Sequence, residues 1–386
     1  MARLANVARL ALMAVLSVCL LASNAWGQSV DPSQWPLGGG NEESGKNDKP
    51  AADPAKSPKT PGEAAWITLK PKFKMVKKFE FALPPSGQTA SVAGAKDGSV
   101  AVTGRLALPS PNLACTQDGK KLGIDLNGDA QPDVWAKSEK ELQQLELTYD
   151  GNVKEPYAIE LTRGAADAWS FARACYREAT HKGTRVVLID NDSDGAYDQV
   201  GVDAVLIGGA RVPAYLSSHV VIGGKIFEMK VNRPGTEVQL RECGGPVGKV
   251  DLQSGFKAAG KLVGAVLTDG QRSFEVSVPN CIVPTGTYNL KWGVVDAGAR
   301  GCMFRSSISV TVSEGQIAKV DFGAPFKLDF DLVRNGNRIT VGASSLTVFG
   351  KTGEQYYDFS HSLVGSVEVR DEATKVGLCH GKMGAC

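Results

Sequence analysis

Tight-turn dipeptides recur between apolar or alternating runs, and they steer this 386-residue chain towards antiparallel β-structure. Asp97-Gly98, Asp118-Gly119, Asp150-Gly151, Asp269-Gly270 and Asn335-Gly336 tolerate the positive φ that short hairpins demand. Pro234-Gly235 and Glu314-Gly315 add two further turns. The runs 220–231, 273–278, 287–292, 308–312 and 326–332 are rich in β-branched and aromatic residues. Residues 273–278 alternate polar with apolar, the period of a half-buried strand. Helix signals are scarce. Residues 138–147, with the helix formers Glu139, Glu141 and Leu142, are the candidate, and 165–180 fit either a helical or a strand period. The expected fold is therefore mainly β.

The N-terminus points to export. Arg3 and Arg9 precede an uncharged apolar run over residues 10–22, and Ala25-Trp26-Gly27 offers small residues where a signal peptidase cuts. That run has 13 residues, whereas a bilayer needs about 20. Residues 28–64 are rich in Gly, Pro, Lys, Asp, Asn and Ser and carry too little apolar surface to offset the entropy of ordering. The expected organisation is a signal peptide (1–27), a disordered linker (28–64), a β-rich domain with two acidic loops (65–213), a β-sandwich (214–323) and a C-terminal β domain (324–386). This places the chain outside the cytoplasm, secreted or periplasmic or on the cell surface, with no transmembrane segment.

Seven cysteines follow Cys19: Cys115, Cys175, Cys243, Cys281, Cys302, Cys379 and Cys386. In an oxidising compartment some of them are expected to pair, and an odd number leaves at least one over. None forms a Cys-x-x-Cys, so zinc-ribbon and thioredoxin-like chemistry is excluded. Cys379-His380 near the C-terminus is read as part of a small disulfide loop closed on Cys386, or with one of these cysteines bonded elsewhere. The net charge of +2 gives no basic face for nucleic acid.

Two nine-residue windows carry the chemistry. Asp190, Asp192, Asp194 and Asp198 occupy positions 1, 3, 5 and 9 of one, with Gly195 at position 6. Asp125, Asn127, Asp129 and Asp133 occupy the same positions of the other, 65 residues earlier, with Gly128 at position 4. A looping backbone sends alternate side chains to one centre, and calcium takes six to eight oxygens. The carbonyl at position 7, Ala196 or Gln131, would add another. So many carboxylates in so short a window repel one another unless a cation lies between them. Apolar runs, most clearly 186–189, precede both windows and anchor them.

The 125–133 window resembles the calcium loop of FG-GAP repeats, and the 190–198 window resembles those of dockerins, thrombospondin type 3 repeats and EF-hands. The likeness implies structural calcium. Position 12, a bidentate Glu in EF-hands, is Ala136 in one loop and Gly201 in the other, so Asp203 or Glu139 are candidate further ligands. Pro284-Thr285-Gly286-Thr287-Tyr288-Asn289-Leu290 is similar to a segment of transthyretin-like (carboxypeptidase-regulatory-like) domains, which implies an accessory β-sandwich. The whole organisation resembles exported bacterial proteins that join calcium loops to sandwich modules.

Catalytic signals are missing. Histidine occurs four times, and no zinc-protease, nucleophile-elbow or phosphate-loop motif is present. The expected function is a secreted, calcium-stabilised structural or binding protein without catalysis. Its expected partner is a glycan, an envelope component or an extracellular protein, met through aromatics such as Trp135, Tyr356 and Tyr357. The alternative is an extracellular hydrolase whose catalytic carboxylates are scattered over loops.

Overall fold

The structure, a computed structural model, describes residues 64–86, 97–109, 113–258, 260–296, 301–335, 338–341, 347–359, 366–370 and 377–382. The expected signal peptide, nearly all of the linker, and Cys386 lie outside the described residues, as do the side chains of Cys379 and His380. Among the described residues the protein is mainly β, with 32 strands and two single-turn 3-10 helices. No described helix is long and apolar enough to cross a membrane.

Asp118-Gly119, Asp150-Gly151, Pro234-Gly235 and Asp269-Gly270 each join antiparallel paired strands, as the sequence implies. Gly119-Lys120 links strands Cys115–Asp118 and Lys121–Ile124, and Asp269-Gly270 links Lys261–Thr268 to Ser273–Glu275. Residues 220–231 are a hairpin rather than one strand. Gly223 and Gly224, at φ of 59° and 77°, turn the chain between His219–Ile222 and Lys225–Val231. Glu314-Gly315 turns the chain but does not pair its flanks, because Ile317–Lys319 leaves to pair in parallel with Val247–Asp251.

The candidate helix at 138–147 is a strand, Lys140–Tyr149, paired along its whole length with Val153–Arg163. Leu145, Leu147 and Tyr149 are buried at a spacing of two and enter the core from one face. That pattern outweighs the helix preference of the glutamates. The ambiguous stretch 165–180 likewise resolves into a 3-10 turn followed by strands Trp169–Arg173 and Cys175–His181.

Four sheets surround a first apolar core. They are a five-stranded sheet in the order Ala214–Tyr215, Ala204–Ile207, Thr184–Ile189, Cys175–His181, Lys72–Met75, two four-stranded sheets, and the three-stranded sheet holding the first acidic loop. This core runs from Leu106 to Leu240, past the boundary expected near residue 213. The cause is the pairing of Val238–Glu242 with Ile67–Leu69, which returns the chain to its own beginning.

A second core spans Val250 to Tyr356. Its main sheet has seven strands, and Gln355–Tyr357, Thr347–Phe349 and Lys327–Asp329 complete one side of it. Three of the strands expected to form a separate C-terminal domain therefore extend this sandwich-like unit, whereas Leu332–Asn335 with Arg338–Val341 and Ser366–Arg370 with Gly377–Lys382 form two-stranded sheets of their own. Val348 and Phe326 pack onto its core.

The two cores meet where Val212, Ala214 and Tyr215 of the first pack onto Val266 and Trp292 of the second. Gly264 allows the approach, since a Cβ there would lie 2.4 Å from a Val212 methyl carbon. Cys115, Cys175, Cys243, Cys281 and Cys302 are all unbonded, so the expected cysteine pairing is not seen among these five. The joint yields a prediction. Gly264→Ala should destabilise the protein by about 1–3 kcal/mol through overpacking, and adding Val212→Ala should restore part of that loss, as read from urea unfolding of both variants and the double mutant.

Candidate metal centre

Strand Thr184–Ile189 is apolar to its end. Val186 and Leu188 face the first core, while Val187 and Ile189 pack with Ala204 and Leu206 on the other side of the sheet. With both faces covered, the next residue, Asp190, has no exposed surface at all. A buried carboxylate must be hydrogen-bonded or neutralised. Tyr157 donates its hydroxyl to Asp190 Oδ2 at 2.5 Å. The loop itself donates Ser193 N–H to Oδ1 at 2.7 Å and Gly195 N–H to Oδ2 at 2.8 Å.

This folding back gathers three of the expected ligands. One carboxylate oxygen from each of Asp190, Asp192 and Asp194 lies within 4.8 Å of the others. Asp192 is 9% exposed, and its Oδ1 is buried without any hydrogen-bond partner. Asp194 accepts from Ala196 N–H at 2.8 Å and from the Gln199 amide. Ala196 is buried. Asp198 is exposed and stands outside the group of three. Its neighbour Tyr197 turns into the core and fixes the chain by donating its N–H to Arg233 O at 2.9 Å, which sends the next side chain to solvent.

Asp203 does come to the loop. It is 1% exposed and accepts from Asn191 N–H at 3.2 Å and Gln199 N–H at 2.8 Å, tying the loop's start to its end. Glu139 does not: it is exposed and faces Arg163 at 3.7 Å.

The electrostatics follow from burial. Loss of water raises the carboxyls of Asp190, Asp192 and Asp203 above the ordinary carboxylate value, and mutual repulsion raises them further. Arg173, 5% exposed, is the cation that bears on Asp190. Its guanidinium donates to Asn191 Oδ1 at 3.2 Å and Ser193 Oγ at 3.4 Å.

The donor set fits a hard divalent cation. All three gathered ligands are oxygens. Ligands at 2.3–2.6 Å from one calcium ion lie no more than about 5 Å apart, and the group meets that spacing. Neither histidine nor cysteine belongs to it, which disfavours zinc.

The first loop has the same backbone. Positions 4 and 6 have positive φ in both loops, at Gly128 (83°) and Ala130 (66°) and at Ser193 (64°) and Gly195 (84°). Position 1 accepts from the N–H of positions 4 and 6 in each, here Gly128 at 2.6 Å and Ala130 at 2.9 Å on Asp125. Position 5 accepts from position 7, Asp129 from Gln131 at 2.8 Å.

The side chains differ. Asp125 is buried, but Asn127, Asp129, Gln131 and Asp133 are exposed. Asp133 turns onto the N–H groups of Leu126 and Asn127, and the Asn127 amide spans Asp129 and Asp133. Burial tends to raise Asp125, but the N–H groups of Gly128, Ala130, Asn127 and Asp129 prevail and hold it below the ordinary value. This loop satisfies its carboxylates internally and gathers no group of three.

Sequence reasoning could not find Tyr157, Arg173 or Gly98. Tyr157 lies 33 residues from Asp190 and Gly98 95 residues from Ser193, and only strand pairing brings them to the loop. Protein-family models, curated proteins and solved structures give no match to this chain.

A pH dependence follows. Folded-state values raised above the unfolded ones mean that the metal-free fold keeps protons the unfolded chain releases, so stability is lost as pH rises above about 4. A cation offsets that loss by favouring the ionised carboxylates. The difference in melting temperature between calcium and chelator should therefore widen from about pH 5 to about pH 8, as measured by paired thermal melts.

Proposed function

We propose that this chain is an exported β-protein whose first core is braced by calcium at the 190–203 loop, and that it works by binding rather than by catalysis. Asp190, Asp192 and Asp194 would hold the ion, with the Ala196 carbonyl as a further ligand. The observation that carries the reading is the buried Asp192 Oδ1, left without a donor among three gathered carboxylates. Such an atom costs about 1–3 kcal/mol unless a cation or proton meets it.

A structural role is supported by burial, because Asp190 has no exposed surface with which to meet a substrate. Export is supported by the charged, apolar and small-residue order of the first 27 residues. The first loop is the weaker candidate, its carboxylates being turned onto its own N–H groups.

Extracellular modules bind calcium at about 10⁻⁴ to 10⁻³ M. At about 1 mM, one such site stabilises by about 0.4–1.4 kcal/mol, which corresponds to about 1–6 °C in melting temperature. Calcium added to the chelated mature protein should give that rise. Asp192→Asn should abolish it while raising the stability of the chelated protein, because it removes an uncompensated charge. Asp129→Asn should leave most of the rise in place. Identical melting curves in calcium and chelator would refute the reading.

A further inference from the structure

A cleft of about 890 Å³ lies where the segment 76–85 crosses between the two cores. Its volume is within the range of small-molecule sites. Phe79, Phe81, Tyr357 and Met303 supply its apolar surface. Arg173, Arg305, Asp97 and Asp358 line it too, so donors and acceptors of both charges are interleaved with the rings.

The walls are held in place. Asp97 accepts from Ser86 N–H and Ser86 Oγ, each at 2.8 Å, and Tyr215 donates to Pro85 O at 3.0 Å. The Phe79 and Phe81 rings lie 5.5 Å apart, and Arg305 sits over Tyr357 at 5.8 Å.

Two of the residues that line the cleft also carry buried polar atoms in the wall behind it. The Tyr357 hydroxyl and Arg173 Nε are buried atoms without a hydrogen bond, and Arg173 as a whole is 95% buried.

Arg173 also belongs to the acidic loop. Its backbone N–H donates to Ser193 Oγ at 3.0 Å, and that hydroxyl donates to Gly98 O at 2.7 Å, beside Asp97 of the cleft. Ser193 therefore pins two parts of the cleft to one position of the loop. A Cβ on Gly98 would lie 2.1 Å from the Arg173 guanidinium, so the contact is close.

The mixture of groups selects a ligand class. A uniformly charged polymer would be repelled by the groups of its own sign. A sugar chain offers apolar C–H faces to aromatic rings and hydroxyls that both donate and accept, which suits interleaved guanidinium and carboxylate groups. We propose that this cleft binds an oligosaccharide, and that cation occupancy of the 190–203 loop strengthens the binding by fixing Arg173 and Gly98. The second clause rests on the calcium reading above.

The test is titration calorimetry of the mature protein with cellohexaose, chitohexaose and maltohexaose, in calcium and in chelator. At least one should bind with a Kd of about 1 mM or tighter. Tyr357→Ala, which removes the ring from the cleft wall, should weaken it about 3- to 10-fold, as should Arg305→Ala. Chelator should weaken it about 5-fold or more. Melting curves of both variants report whether they fold. No binding across the panel overturns the cleft assignment, whatever calcium does to the melting temperature. Binding by folded variants that matches the parent protein overturns it as well. Binding unchanged by chelator, in a protein whose melting temperature calcium does raise, overturns the coupling alone. A melting temperature that ignores calcium sinks the calcium reading and leaves the panel to judge the cleft.

Discussion

The first core depends on how a strand buried on both faces is allowed to end. Val186 to Ile189 are apolar without a break because the five-stranded sheet is covered on each side. Leaving such a strand, the chain has no solvent to enter, and its first polar residue is delivered to the interior. Asp190 takes that position, and almost everything near it answers to the resulting charge. Tyr157 and two loop N–H groups bind it, Arg173 opposes it, and Asp203 ties the far end of the loop back to the start. The cation proposed for Asp190, Asp192 and Asp194 would complete that set, for the buried Asp192 Oδ1 has no hydrogen-bond partner.

The two loops separate backbone from chemistry. They share left-handed residues at positions 4 and 6 and three corresponding hydrogen bonds. Glycine stands at position 4 in one and position 6 in the other, so neither glycine alone defines the turn. Burial sets the difference. The first loop opens to solvent beyond Asp125, and its carboxylates settle on nearby N–H donors. The second is enclosed, and Asp192 is left with an oxygen that nothing local reaches.

Much of this was legible in the sequence, and the reasons are specific. Turn dipeptides and alternation gave the β-class because hairpin geometry is a local property. The Asp spacing at 190–194 gave the group of three because alternate residues of one loop converge without help from elsewhere. Asp198 at position 9 stands apart from that group because Tyr197 is drawn into the core, a tertiary demand that the loop pattern does not contain. The 138–147 stretch misled because glutamate and leucine favour helix locally, while the burial of Leu145, Leu147 and Tyr149 that makes it a strand depends on a partner strand. The first core runs past residue 213 for a like reason, since the pairing of residues 67–69 with 238–240 joins segments about 170 residues apart.

The joint between the cores gives the loop a reach beyond its own stability. Val212 follows closely on the strand that returns from the loop, and it packs onto Gly264 of the second unit. On the loop's other side Ser193 holds Arg173 and Gly98, and Arg173 and Asp97 line the cleft to which the second unit contributes Met303, Arg305 and Tyr357. Close-packed contacts of this kind transmit a fixed position better than a mobile one. If the proposed cation neutralises the acidic loop, its effect would reach the cleft through the short, buried Ser193 bonds to Arg173 and Gly98, without any change in the strands between them.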